Sequence, residues 1–262
     1  MDQTGLEIEI NQLYNDRMSD ALNLEYFNYS DFYNFGFWRG NTKNQKEACE
    51  NLMEELLFFI PKKTGTILDV ACGKGATTRY LLKYYKPEKV AGINISEKQL
   101  GICKQNVSGC RFYLMDATKL DFKNNSFDNV ICVESAFHFN TRKKFFEEAY
   151  RVLKPGGRLI LADILMSLLA HRYEKGFSEE NHVTNIKSYQ FLLEQIGFRK
   201  VTIRDETRAC WIGAFNSRGR FFREKLQQRS LNFFSFRKAI SRLLFLRKNI
   251  LNYILVVATK PK

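Results

Sequence analysis

The chain has 262 residues, 45% of them hydrophobic and 26% charged, the balance of a soluble globular protein long enough to bury a full core. The longest apolar run, 159–170, is broken by Asp163 and falls short of the roughly 18 to 20 residues that a membrane-spanning helix needs. The acidic, polar opening MDQTGLEIEINQ does not read as a secretory leader, and six cysteines with no C-x-x-C spacing read as reduced thiols of a cytoplasmic protein, without a metal site. The net charge of +13 is placed late: between 199 and 262 sixteen basic residues stand against three acids, so the preceding 198 are neutral overall. That core has no electrostatic reason to bind nucleic acid.

Only four prolines occur and no low-complexity linker, so one domain over 1–262 is expected. It divides into an aromatic cover and helix (1–62), a ligand-binding core (63–165), and a lid, a basic insertion and the last strands (166–262). Residues 24–41 (LEYFNYSDFYNFGFWRGN) hold too many aromatics for an exposed tail. From 45 to 60 the apolar residues Ala48, Leu52, Met53, Leu56, Leu57 and Ile60 recur at helical spacing, and Pro61 stops the run. Strands and helices then alternate: strand 66–71, helix 76–85, strand 89–93, a helix capped by Ser96 to 107, strands 111–115 and 127–134, and helix 141–153. Lys154-Pro155-Gly156-Gly157 turns into strand 158–164; helix 188–196 and strand 200–204 follow, and 253–259 is the last strand. Such alternation predicts an α/β fold with a parallel sheet covered on both faces. Between the last two strands, 221–248 reads as a basic amphipathic helix. It offers a solvated face over packed core, a peripheral membrane contact or a dock for an acidic partner.

The sharpest motif is Asp69-Val70-Ala71-Cys72-Gly73-Lys74-Gly75, directly after the first buried strand. Ligands of open α/β sheets sit at the carboxyl ends of the strands, where glycines admit a close approach of the backbone. Thr78 replaces the third glycine of a dinucleotide fingerprint and the acid Asp69 precedes the loop. A pyrophosphate is poorly served by a carboxylate there, whereas a ligand with an ammonium and a sulfonium is well served; a purely structural turn is the plain alternative.

ILDVACGKGATT, VAGINISEKQL, MDATKLDF, FDNVICVESAFHF and EEAYRVLKPGGRLILADIL resemble, in order, the blocks of class I S-adenosylmethionine-dependent methyltransferases. The resemblance is to the small-molecule branch of sugar and polyketide O-methyltransferases, with tocopherol-type and cyclopropane-synthase-like enzymes nearby. It implies a Rossmann-like, seven-stranded, mostly parallel sheet with an antiparallel last strand, an N-terminal helical cover and a C-terminal insertion. It further implies that S-adenosyl-L-methionine lies against Asp69, Ala71, Gly73 and Gly75, with its ribose at Asn94, Ile95 and Gln99. Its adenine would lie at Asp116 and Ala117, and Glu134 on the rim. Asn94 stands where many such enzymes carry an acid, so its hydrogen bonds to ribose lack charge assistance.

The same resemblance places His138 where the methyl acceptor enters and Asp163 as the carboxylate that orients it, the pair that removes a proton from a hydroxyl. A helix-capping or core histidine is the alternative. Tyr29, Phe32, Tyr33, Phe35 and Trp38 resemble the cover over the cofactor, and Phe137 joins Tyr29, Tyr33 and Trp38 on the acceptor side; ordinary packing is the other reading. His171 and His182 read as plain polar or substrate-side residues. The expected function is methylation of a small, largely apolar, natural-product-like molecule of secondary metabolism. A carbon or nitrogen acceptor (a prenyl chain, lipid or indole) and a non-catalytic binding module that kept the fold are the rivals. An RNA methyltransferase is disfavoured, since the chain has neither an Asn-Pro-Pro-Tyr-type motif nor a catalytic cysteine pair.

Overall fold

The computed structural model describes residues 5–262, so the first four residues of the acidic opening lie outside it. α1 (Gly5–Arg17) and α2 (Ala21–Tyr26), the latter capped by Asp20, lead into the aromatic segment. α3 (Gln45–Phe58) starts at the Asn44 cap and buries Leu52, Met53, Leu56 and Leu57 along one stripe, as the apolar spacing predicts. The alternating core follows: β1 (Ile67–Val70), α4 (Ala76–Leu81), β2 (Val90–Asn94), α5 (Glu97–Asn106), β3 (Arg111–Leu114), β4 (Phe127–Val133), α6 (Arg142–Val152) and β5 (Leu153–Met166). The remainder is α7 (Leu168–Tyr173), α8 (Ile186–Ile196), β6 (Arg199–Asp205), α9 (Gly213–Gln227), α10 (Phe233–Asn249) and β7 (Ile250–Thr259).

Among the described residues seven strands form one sheet in the order β3-β2-β1-β4-β5-β7-β6, with β7 antiparallel to both its neighbours and the other pairings parallel. Successive residues of a strand face opposite sides of a sheet. Ile67, Ile131 and Ile160 therefore pack with α3 and α4, while Leu68, Val130 and Leu161 pack with Phe145 and Phe146 of α6 and Leu193 of α8. The strand order reverses between β1 and β4, which opens a crevice at their carboxyl ends. Among the described residues no helix is long and apolar enough to cross a membrane.

Three expectations change. α4 ends at Leu81 rather than Tyr85. The Lys154–Gly157 stretch is a bulge inside β5, with the register shifting between Phe127 and Asn129 of β4. The basic segment 221–248 is not one helix: α9 ends at Gln227, Arg229 takes φ +57°, and α10 doubles back on α9. Phe222, Leu231 and Leu243 of this pair are buried against each other and against Leu22, while Phe233, Phe234 and Leu244 stay exposed. Much of the stripe that suggested a surface-lying helix is thus turned onto the fold.

Candidate active site

At the carboxyl ends of β1 and β4 the backbone turns away from the sheet through left-handed residues, Ala71 (φ +60°) and Glu134 (φ +50°). Such conformations cost non-glycine residues of order 1–3 kcal/mol and concentrate at functional sites. A cleft of about 120 Å³ opens between them, lined by Ala71, Gly73, Asn94, Ile95, Asp116 and Ala117 among others. At Gly73 (φ +56°) a Cβ would meet Met18 at 3.7 Å and Gln99 Oε1 at 3.8 Å, ordinary contact distances, so the left-handed backbone rather than crowding favours glycine there. Asn94 donates from Nδ2 to Gln99 Oε1 at 3.0 Å and accepts from Ile95 N at 2.9 Å, which fixes both amides at the cleft wall. Asp116 accepts from the backbone N and hydroxyl of Thr118 at 2.8 and 2.7 Å and is thereby set rigidly beside Ala117.

Asp69 and Gly75 do not line this cleft. The Asp69 carboxylate lies beneath the loop and accepts from the hydroxyls of Thr77 (2.7 Å) and Thr78 (2.6 Å), anchoring the start of α4; burial pushes its carboxyl up to about 6. At Gly75 (φ +92°) a Cβ would come within 2.7 Å of Cys103 Sγ, so this glycine lets the loop sit down on α5. Both residues shape the loop from below.

A second, larger cavity of about 330 Å³ adjoins the first. Tyr14, Tyr33, Asn34, Glu134 and His138 line both. The Gly176 carbonyl can only accept, so the 2.5 Å contact from His138 Nδ1 places the proton on Nδ1; Nε2 then accepts from the Tyr14 hydroxyl at 2.7 Å. The ring is packed by Phe137 (4.3 Å between centroids), Phe177 (4.7 Å) and Tyr14 (5.2 Å). This burial pushes its pKa down to about 3, with smaller contributions from the charges of Arg17 and Arg142. Asp163 is elsewhere: it is fully buried, forms an ion pair with Arg142 at 2.8 Å and accepts from Tyr189 Oη at 2.8 Å. Both nitrogens of His138 are taken by other partners, and the orienting role expected of Asp163 falls to the Gly176 carbonyl.

Glu134 accepts from Phe35 N at 2.7 Å and Tyr253 Oη at 2.6 Å, which ties the aromatic cover to β7; burial raises its carboxyl to about 8. Tyr33 lines both cavities and Phe137 the larger one, but Tyr29 is 70% exposed and lies outside both. Trp38 is also outside them. Its indole N donates to Phe35 O at 3.0 Å, and its ring occupies the space a side chain at Gly213 would need, pinning the cover to α9. His171 is buried, with Nδ1 donating to Ser178 O at 2.8 Å.

The sequence reading expected an N-terminal helical cover but named none of the α1 residues that form it. Asn11 Nδ2 donates to Ile95 O at 3.1 Å, and Asn15 Oδ1 accepts from Ser96 Oγ and Gln99 Nε2 at 3.1 and 3.2 Å. α1 thus closes over the cleft and brings Tyr14 to His138. Lys74 bridges the glycine loop to Asp31 at 3.1 Å and to Met18 O at 3.3 Å, a second latch.

Residues 68–161 match the methyltransferase domain family. The erythromycin 3''-O-methyltransferase of Saccharopolyspora erythraea is 29% identical over 82% of this chain and 74% of its own. The methyltransferase GfsG of Streptomyces halstedii is 30% identical over 68% of this chain and 69% of its own. Among solved structures, the [4+2]-cyclase SpnF superposes with a TM-score of 0.77 at 19% identity, over 97% of each chain. The phosphoethanolamine N-methyltransferase 2 of Haemonchus contortus, bound to S-adenosylhomocysteine, gives 0.76 at 18% identity over 99% of this chain and 61% of that one. The fold is that of the class I, Rossmann-like methyltransferases. The chain belongs to the S-adenosylmethionine-dependent methyltransferase family.

The cleft suits that cofactor. The fixed amides of Asn94 and Gln99 and the carboxylate of Asp116 present hydrogen-bonding groups along its wall.

Proposed function

We propose that the enzyme methylates a hydroxyl of a small, largely apolar acceptor held in the larger cavity, with His138 as general base and Tyr14 as its partner. The observation that carries this reading is the position of His138 Nε2: a lone pair, fixed by the Gly176 bond, at the junction of the two cavities. S-adenosylmethionine supplies an electrophilic methyl on a positively charged sulfur. An acceptor hydroxyl can reach His138 by displacing Tyr14, or hand its proton to Tyr14 Oη while Tyr14 passes its own to Nε2. His138 gains a positive charge just as one is discharged beside it, which offsets the desolvation that otherwise disfavours imidazolium. The aromatic walls exclude water and orient the acceptor.

The cofactor contacts at Ala71, Gly73, Asn94, Ile95, Gln99, Asp116, Ala117 and Glu134 belong to the same proposal. Titration calorimetry with S-adenosylhomocysteine on Gly73→Arg tests them, with complete loss of binding expected. A screen of natural-product extracts for mass gained only with cofactor and enzyme identifies the acceptor. Turnover left intact in His138→Ala points instead to a carbon or nitrogen acceptor.

A further inference from the structure

The larger cavity is apolar over most of its wall, lined by Ile164, Met166, Leu243, Leu246, Ile250 and several aromatic rings, yet three arginines also line it. Arg17 comes from the end of α1, Arg218 from α9 and Arg242 from α10, so elements some two hundred residues apart in sequence converge on one opening. Two carboxylates share the wall. Glu174 is taken by Arg242 at 2.6 Å, and Glu134 is committed to Phe35 N and Tyr253 Oη. Burial keeps Glu134 protonated up to about pH 8, so it offers no counter-charge at neutrality. Among the described residues neither Arg17 nor Arg218 has a carboxylate within ion-pair distance. Arg218 donates to Asn23 Oδ1 and lies over the rings of Tyr26 (4.7 Å) and Phe222 (5.7 Å), while Arg17 lies over Tyr14 (5.8 Å).

These neutral contacts, which for Arg17 include a hydrogen bond to Tyr14, leave each guanidinium's charge uncompensated. Like charges gathered on a partly desolvated wall are costly unless an anion joins them. The acid-poor C-terminal quarter does not supply that anion: Asp205 pairs with Thr207 and Asn252, Glu206 with Arg204, and Glu224 is exposed on α9 and does not line the cavity.

We propose that the acceptor carries an anionic group, a carboxylate or a phosphate, on its apolar body, and that Arg17, Arg218 and Arg242 hold it. This rests on the reading of the larger cavity as the acceptor site. Arginine's planar fork matches the oxygens of either group, and each charge-assisted bond is roughly twice as strong as a neutral one. The arginines then select the acceptor and set its direction, while the apolar wall holds its body.

The test is calorimetry with S-adenosylhomocysteine present and four matched probes: octanoate, octyl phosphate, octanol and octyltrimethylammonium. At least one anion should bind tenfold or more tightly than octanol, and the ammonium should bind weakest. Tighter octanoate names a carboxylate, tighter octyl phosphate a phosphate. Arg17→Gln combined with Arg242→Gln should cut the anion-to-alcohol ratio about tenfold, while Arg17→Lys with Arg242→Lys keeps most of it. Anions binding no better than octanol, a ratio that survives the glutamine variants, or no binding of any probe would each overturn the proposal. These outcomes spare methyl transfer, whose own failure shows as lost S-adenosylhomocysteine binding in the wild type.

Discussion

Three aromatic rings and the Gly176 carbonyl surround His138, so its imidazole is neutral with one tautomer over the whole working range of pH. A free imidazole would make the rate rise through pH 6 to 7; with the pKa near 3, turnover limited by this base should be flat from about pH 5 to 8. Initial rates across that range check it. His138→Ala should lose on the order of a hundredfold or more in kcat, the usual contribution of a positioned base, and Tyr14→Phe roughly tenfold. Asp163→Asn should behave differently. It leaves the buried Arg142 without its counter-charge, so about 3 kcal/mol of stability should go while the pH profile keeps its shape. Thermal denaturation and rates measured on the one variant separate the two effects.

At the scale of elements, α1 decides access. It has no buried residue and is held over the cleft by Asn11, Asn15 and Tyr14, and we expect it to open before the sheet does. Hydrogen exchange should be fast in α1 for the free protein and slowed about tenfold or more by S-adenosylhomocysteine, with β1 and β4 protected in both states. Equal exchange with and without ligand would mean that α1 is a fixed part of the fold. The alternating strands and helices were readable from sequence because each buried strand is a short apolar run between turn residues, and Ser96 marks a helix start. The role of α1 was not readable residue by residue, because its apolar residues are spread round the helix and Leu6, Ile10 and Tyr14 share the face over the cleft with Asn11. Nor was the exchange of Asp163 for Gly176 beside His138. A backbone carbonyl leaves no trace in residue type, and Arg142 and Tyr189 reach Asp163 only through the packing of α6 and α8. The break at Arg229 that folds the basic segment into two helices has no glycine or proline to announce it.

For the whole molecule, buried titratable groups at the site couple its chemistry to stability. His138 and His171 are lowered to about 3 and 4 from 6.5, so the unfolded chain binds more protons below pH 6.5 and stability falls as the solution is acidified. Glu134 is raised to about 8, so the folded state binds more protons between 4.5 and 8 and stability falls as pH rises through that window. Asp69, raised to about 6, acts in the same direction at lower pH. Between about pH 7 and 8 these histidines are largely neutral in both states and Glu134 dominates the set. Chemical denaturation of the cofactor-free protein should therefore show a loss of roughly 0.5 to 0.8 kcal/mol per pH unit there, which Glu134→Gln removes. A slope unchanged in that variant would place the titration elsewhere. The most direct measurement of the whole reading follows a trideuteriomethyl group from labelled S-adenosylmethionine into an acceptor extract, with wild type and His138→Ala run in parallel and the product's labelled atom assigned by NMR. The expected result is a label on oxygen, formed by the wild type and nearly absent with the variant; a label on carbon or nitrogen, or equal product from both enzymes, would contradict it.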